Sequence, residues 1–265
     1  NHVAEFEQLQ GSLEGNVSFG PGPRSEAYPD FSEDNQAARF DGNRDFVRVA
    51  DPGENSPLDF GAGDSITLEA WVNPSEMPRG QQVYIFGKGR TFRQGFSRDN
   101  QNYALRLRNT GGTGAAISFL FRGEKNASEQ DWHRWTSTAE FSGGLGWHHV
   151  AVTYTFGKPD SIRGYIDGRA TTGTWDMGGA TTAAPVVDND ELWIGSSMGG
   201  QASSSFVGAI DEVALFRTAL PAERFAERFH AKPVVIEPLA RPASGEVGVE
   251  IVEAGLPSTA NSWDV

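Results

Sequence analysis

Apolar and polar residues alternate along most of this chain in short runs, and a period of two is the signature of a strand with one buried face. The clearest runs are Ala37 to Phe40, Phe46 to Val49, Ser65 to Val72, Val83 to Gly87, Tyr103 to Leu107, Ala115 to Phe121, Trp147 to Thr155, Ile162 to Ile166, Glu191 to Ile194 and Phe206 to Phe216. Clusters of Gly, Asn, Asp and Pro separate them, which predicts an all-β protein, a two-sheet antiparallel β-sandwich of about ten strands. Asp167-Gly168, set between Ile166 and Arg169, suits a two-residue type I′ turn, where both central residues need positive φ. Only Leu220 to His230 has helical spacing, with Pro221 early and Phe225, Ala226 and Phe229 on one face. Beyond it, residues 233–265 turn to Pro, Glu and small residues, with Val247 to Val252 as a strand candidate. The expected organisation is one domain over residues 1–232 and a C-terminal tail or linker over 233–265.

The last strong strand carries a carboxylate that changes this picture. Regular alternation sets Ile210, Glu212, Ala214 and Phe216 on one side and Asp211, Val213 and Leu215 on the other, so Asp211 is expected among apolar neighbours. A carboxylate there must be hydrogen-bonded, paired or metal-bound, because an unpaired buried charge costs several kcal/mol. Calcium is one such partner.

Composition narrows the class. The 265 residues, 38% of them hydrophobic, suffice for a sizeable core in at most two domains. Thirty-two glycines, fourteen prolines and 11% aromatics suit many strands and many turns. Twenty-two basic against 35 acidic residues give a net charge of −13, which disfavours nucleic acid and anionic membranes as partners. No apolar run approaches the roughly 20 residues that span a bilayer, so membrane insertion is not expected. The chain starts at Asn1 without a charged-then-apolar leader and is expected to be a mature or excised piece. The absence of cysteine excludes disulfides, thiolate metal sites and cysteine nucleophiles, and leaves the compartment open.

Six motifs now fall into an order. Phe40-Asp41-Gly42, Ile66 to Val72, Trp147 to Tyr154, Tyr165-Ile166-Asp167-Gly168, Trp193-Ile194-Gly195 and Phe206 to Phe216 resemble, in that sequence, laminin-G-like domains of the concanavalin A-like lectin/glucanase superfamily. The resemblance covers roughly residues 36 to 218 and implies a jelly roll of two stacked antiparallel sheets, with one short C-terminal helix here. Lectins, carbohydrate-binding modules, glucanases and adhesion domains share that fold, so the site has to decide the activity. The resemblance also implies a structural calcium held by Asp211 and the Gly42 carbonyl. Asp41 either adds a carboxylate or bonds the backbone of Asn43 or Arg44. A further oxygen is expected from the segment Glu5 to Gln8. An extracellular or cell-envelope location is likewise implied by the family.

Catalysis finds little support. Glycoside hydrolysis needs two carboxylates facing one cleft, and glucanases of this superfamily carry them at alternate positions of one strand; no such run occurs here. Asp188-Asn189-Asp190-Glu191 is the nearest cluster and is expected to be a solvated loop. Glu69 and Trp71 share a strand face, which suits either a sugar cleft or a hydrogen-bonded glutamate beside a packing tryptophan. His148 and His149 are adjacent on a strand, point to opposite faces and cannot bind one ion together.

Three long loops are the expected ligand surface: Lys88 to Asn102 with Arg90, Phe92, Arg93 and Arg98, Arg122 to Gly146 with Trp132 and Trp135, and Thr171 to Asn189 with Trp175. Aromatic faces stack on sugar rings, and arginines fork onto carboxylates or sulfates. The function expected is thus a non-catalytic carbohydrate-binding or adhesion module of a larger exported bacterial protein, its partner a polysaccharide or glycan, including anionic ones. A protein surface as partner, a structural spacer, and a glycoside hydrolase with a divergent carboxylate pair are the alternatives.

Overall fold

The computed structural model describes residues 9–75, 82–109, 114–124, 131–142, 146–230 and 247–252. Its strands are β1 (Leu9–Glu14), β2 (Ser18–Pro21), β3 (Gln36–Asp41), β4 (Phe46–Val49), β5 (Ser65–Pro74), β6 (Gln82–Lys88), β7 (Tyr103–Arg108) and β8 (Gly114–Arg122). After them come β9 (Trp132–Ser142), β10 (His148–Thr155), β11 (Lys158–Ile166), β12 (Arg169–Thr171), β13 (Gly173–Met177), β14 (Leu192–Ile194), β15 (Val207–Phe216), helix α1 (Ala222–His230) and β16 (Val247–Val252).

The strands form sheets of 8 and 7 strands. The larger runs β1-β4-β14-β6-β7-β8-β9-β13, the smaller β12-β11-β10-β5-β15-β3-β2. β16 lies parallel to β15 and antiparallel to β1, so it joins an edge of one sheet to the other. Of the expected tail, residues 233–246 and 253–265 lie outside the described residues, as does the calcium oxygen sought in Glu5 to Gln8.

Alternation builds the core as the pattern predicts. Leu68, Ala70 and Val72 of β5 and Val150, Val152 and Tyr154 of β10 face Leu105, Leu107, Ile117, Phe119 and Phe121 of the opposite sheet, all fully buried. The Asp167-Gly168 turn has φ of 51° and 72°, both positive as a type I′ turn requires. Gly168 is needed for a second reason: a Cβ there would sit 3.0 Å from the Phe229 Cβ and 3.1 Å from the Phe225 carbonyl of α1.

Two expectations fail for identifiable reasons. The loops placed at Arg122 to Gly146 and Thr171 to Asn189 contain strands β9 and β13. In β9 the inward positions include His133 and Ser137, which hide the alternation; Ser137 Oγ takes the Ile117 amide at the irregular step where β8 shifts register against β9. In β15 a bulge between Asp211 and Ala214, with Glu212 at φ 47°, reverses the sides. Ile210 pairs with inward Val72 and Leu215 with inward Leu68, whereas Asp211 pairs with Trp71 and Ala214 with Glu69 on the outer face. Asp211 therefore does not share a side with Leu215.

Candidate functional site

The outer face of the seven-stranded sheet is closed. Trp71 on β5 is covered by Tyr28, Phe31 and Phe229, with ring centroids 4.6, 5.1 and 5.8 Å away. Phe225 of α1 stacks on Tyr165 at 4.1 Å. Beneath the helix, Glu69 is 1% exposed and paired with Arg228 Nη1 at 2.5 Å, with His149 Nε2 at 3.6 Å. Burial pushes the Glu69 carboxyl up, but Arg228, His149 and Arg224 outweigh it and hold the group below its ordinary value. Glu69 thus locks α1 to the sheet and is not a ligand residue. His148 meets Asp167 at 2.8 Å on the face opposite His149.

The outer face of the eight-stranded sheet is built differently. Register places Tyr84, Arg106, Ser118 and Thr136 in one row across β6 to β9, and Ala104, Leu120 and Arg134 in the next. Tyr84, Ala104 and Leu120 form a small apolar platform, with Trp132, Met177 and Met198 packed against it. The loop after β6 brings Arg90 over the Trp132 ring at 4.6 Å, a cation–π distance.

That loop is held from below. Asp190 is fully buried, accepts hydrogen bonds from the Thr91 amide (3.1 Å), Thr91 Oγ1 (2.5 Å) and Asn100 Nδ2 (3.0 Å), and so pins both ends of the loop. Glu191 Oε2 accepts Trp193 Nε1 at 2.9 Å and pairs with Arg93, while Oε1 pairs with Arg48 at 2.7 Å. Asp190 and Glu191 are accordingly a buried brace, whereas Asp188 is half-buried and Asn189 exposed, so only the first part of the Asp188 to Glu191 cluster faces solvent as its composition suggested. The positive φ values of Arg90 (58°) and Phe92 (64°) are kinks that this brace maintains.

Of the predicted ligand residues, the structure brings Arg90, Phe92, Arg93, Arg98 and Trp132 to this end of the sheet; Arg98 stacks over Phe92 at 4.9 Å. Trp135 is 2% exposed and belongs to the core, because its strand turns it inward against Phe119. Trp175 pairs with it in register and packs on the same core, its Nε1 reaching the Pro159 carbonyl at 3.4 Å. Both leave the ligand set. Tyr84, Arg106 and Arg108, not singled out from the sequence, take their place beside Arg134 and Asp176 of the two expected loops. The signal for two of them is visible, since Arg106 and Arg108 alternate with Leu105 and Leu107 and must share the outer face.

Asp176 binds two of these arginines, Arg134 Nε at 2.7 Å and Arg108 Nη1, and accepts Thr136 Oγ1 at 3.2 Å. Burial, then Arg108 and Arg106, pull Arg134 down to about 10. Burial also lowers Arg106, reinforced by Arg90 and Arg108 and opposed by Tyr84.

The calcium set does not assemble. Val207 pairs with Asp41 and Ile210 with Ala38, so Asp211 lies four residues along the strand from the partner of Asp41, about 13 Å at the usual strand rise. Asp41 Oδ1 accepts the Asn43 amide at 2.7 Å, the turn role, and Gly42 packs on Val207. Asp211 Oδ2 instead accepts Asn35 Nδ2 at 2.7 Å, and its Oδ1 the Glu212 amide at 3.0 Å. Among the described residues no three His, Asp or Glu side chains converge as a metal group.

Comparison with known proteins follows the fold. A laminin-G sequence model described as the concanavalin A-like lectin/glucanases superfamily matches residues 33–225. No curated protein matches the chain. Among solved structures, the binding domain of Paraclostridial mosquitocidal protein 1 is 12% identical with a TM-score of 0.51, over 84% of this chain and 52% of that one. Full-length tailspike protein 2 from Escherichia coli O157:H7 bacteriophage CAB120 is 14% identical with a TM-score of 0.51, over 88% of this chain and 29% of that one. Domain 4 of AbnA, a GH43 extracellular arabinanase from Geobacillus stearothermophilus solved with arabinotriose, is 18% identical over 82% of both chains, with a TM-score of 0.49. At these identities the likeness is one of fold.

Proposed function

The chain belongs to the concanavalin A-like lectin/glucanases superfamily, and from that premise we propose that it is a non-catalytic carbohydrate-binding module of a larger exported or envelope-associated bacterial protein. The observation that carries the proposal is the outer face of the eight-stranded sheet, where Trp132 and Arg90 form an aromatic and cationic surface over buried Tyr84, with the Arg90 loop braced by Asp190 and Glu191. A glycan lies across this face with a sugar ring on half-buried Trp132, which the buried Tyr84, Ala104 and Leu120 support from beneath, and its hydroxyls on the flanking arginines. Folded strands hold these groups in place before the ligand arrives, so little ordering cost is left to binding.

The non-catalytic part rests on the carboxylates. Two acidic groups of this face, Glu191 and Asp176, are each engaged by two arginines, Glu191 by Arg48 and Arg93, Asp176 by Arg108 and Arg134. A glycosidase general acid needs the opposite surroundings, an apolar site that keeps its proton.

Calcium enters the proposal at Asp211 alone, since Asp41 and Gly42 lie elsewhere. Asn35 Nδ2 is 2.7 Å from Asp211 Oδ2 and 3.3 Å from the Pro23 carbonyl. Rotating that amide would turn its oxygen toward the same centre and give three oxygens suited to a hard cation.

A glycan array run with calcium and again with chelator, on the wild type, Trp132→Ala and Arg93→Ala, tests the function. Binding to one glycan class that disappears in Trp132→Ala is expected. Binding to no glycan would transfer the module to protein contact or to a spacer role, and reducing-sugar release would make it a hydrolase.

A further inference from the structure

Four arginines, Arg90, Arg106, Arg108 and Arg134, meet on this face of a chain whose net charge is −13, and a single carboxylate, Asp176, answers them within ion-pair distance among the described residues. Asp176 serves Arg108 and Arg134. Arg106 and Arg90 have no carboxylate partner there.

Arg106 is the sharper case. It is 4% exposed, and neither its Nε nor its Nη2 has a hydrogen-bond partner. A buried guanidinium with open donors is costly to keep, and arginine cannot shed its charge as lysine can. Tyr84 partners it through the ring, 5.4 Å from the centroid, and through a side-chain hydrogen bond, while the Tyr84 hydroxyl donates to Gln101 Oε1 at 2.8 Å, so Nε and Nη2 stay open. Next to it in register, Ser118 Oγ is buried and also without a partner. Nε of Arg90, above Trp132, is a fourth such atom. The unmet groups therefore include guanidinium N–H donors from two sides and a hydroxyl.

We infer that this face contains an anion subsite, with Arg106 and Arg90 as its specificity-determining residues, and that the glycan it takes carries a carboxylate or a sulfate. The inference rests on the carbohydrate-binding function proposed above and adds the ligand's charge. A carboxylate, or two oxygens of a sulfate, accepts two parallel hydrogen bonds from a guanidinium and supplies the counter-charge missing from the cluster. The Asp176 carboxylate shows the same geometry satisfied within the chain: two arginines and a hydroxyl, Thr136 Oγ1, on one carboxylate. The neighbouring Trp132, seated on the apolar cluster, then binds the ring that bears the charged group.

Isothermal titration of the whole protein with an oligogalacturonate, its carboxyl-reduced neutral form, dextran sulfate and plain dextran separates the possibilities. The variants are Arg106→Gln, Arg106→Lys, Trp132→Ala and, as a control for general charge, Arg169→Gln on exposed β12, with near-ultraviolet circular dichroism to confirm folding. At least one charged polymer is expected to bind about tenfold or more tighter than its neutral counterpart, the scale of one charge-assisted bidentate contact. Arg106→Gln should erase that preference and leave weak neutral binding in place, Arg106→Lys should keep the charge but lose most of the gain, and Arg169→Gln should change nothing. Whichever polymer shows the preference identifies carboxylate or sulfate. Equal binding of charged and neutral forms, abolished by Trp132→Ala, would overturn the anion subsite and leave the carbohydrate module standing. A charge preference that survives Arg106→Lys unchanged, or in folded Arg106→Gln, would remove Arg106 from it. Binding to none of the four would overturn both if an array of wider composition were also blank, and the anion subsite alone if a neutral glycan bound there.

Discussion

The two outer faces of the sandwich use the same kinds of residue and end in opposite states. On the seven-stranded sheet Trp71 stands beside Glu69, His149 and Arg228, and on the eight-stranded sheet Trp132 stands near Tyr84, Arg106, Asp176 and Arg90. The first set is roofed by α1 and by Tyr28 and Phe31, and its charges pair under that roof. The second set has arginines in excess of their carboxylate and donors left unmet. An aromatic beside a charge on a strand face therefore says little by itself. Buried polar atoms without a hydrogen-bond partner occur on both faces; what separates structure from site is whether the chain supplies the counter-charge, as Arg228 does for Glu69 and no carboxylate does for Arg106 among the described residues.

This contrast breaks most visibly at Glu69. Glu69→Gln removes one partner of a buried ion pair, and a loss of about 3–5 kcal/mol in unfolding free energy is expected by urea denaturation, with glycan binding by the folded fraction intact. Loss below about 1 kcal/mol would mean that aromatic packing alone holds the helix.

Acid acts on the same lock. The Glu69 carboxyl lies below its ordinary value in the folded chain, so its stabilising contribution is complete above the ordinary glutamate range and fades as pH falls through the depressed value. Thermal melts should show a decline below about pH 4 that Glu69→Gln lacks.

Trp132→Ala is the converse. It is expected to cost binding about 2 kcal/mol, some thirtyfold in Kd, as an aromatic anchor does. Stability should fall less than in Trp71→Ala, whose ring is enclosed by three others; the two melting curves and the two titrations, compared side by side, sharpen the division between roof and platform.

Chelation should give the smallest change. Calcium at Asp211, at a tenfold excess over its Kd, would add about 1.4 kcal/mol, so EDTA should lower Tm by a few degrees. An unchanged Tm would mean that hydrogen bonding, from Asn35 and the Glu212 amide among others, accounts for Asp211 without a metal.

Much of the fold was legible because alternation reports burial directly: β5, β7, β8 and β10 each present an unbroken inward row of apolar residues. Strands with polar inward positions, such as His133 and Ser137 of β9, were not legible, nor was the β15 bulge, which depends on one residue at φ 47°. The site was legible in part. Arg90 and Trp132 were found by residue type, but Trp135 and Trp175 were turned inward by strands that the sequence hid, and Arg106 acquires its meaning from Tyr84, Ser118 and Arg90, which lie on other strands and loops. The opposite outcomes of Glu69 and Arg106 could not be told apart along the chain, because the charged partner of Glu69 is 159 positions away on α1 while no carboxylate pairs with Arg106 among the described residues.

The most direct test of the account follows the indole N–H signals of the seven tryptophans by NMR during titration with the best-binding glycan. Movement of the Trp132 signal with the Trp71 signal unmoved is the predicted result. Movement of Trp71 with Trp132 silent, or no indole shift at saturation, would contradict the assignment of the binding face.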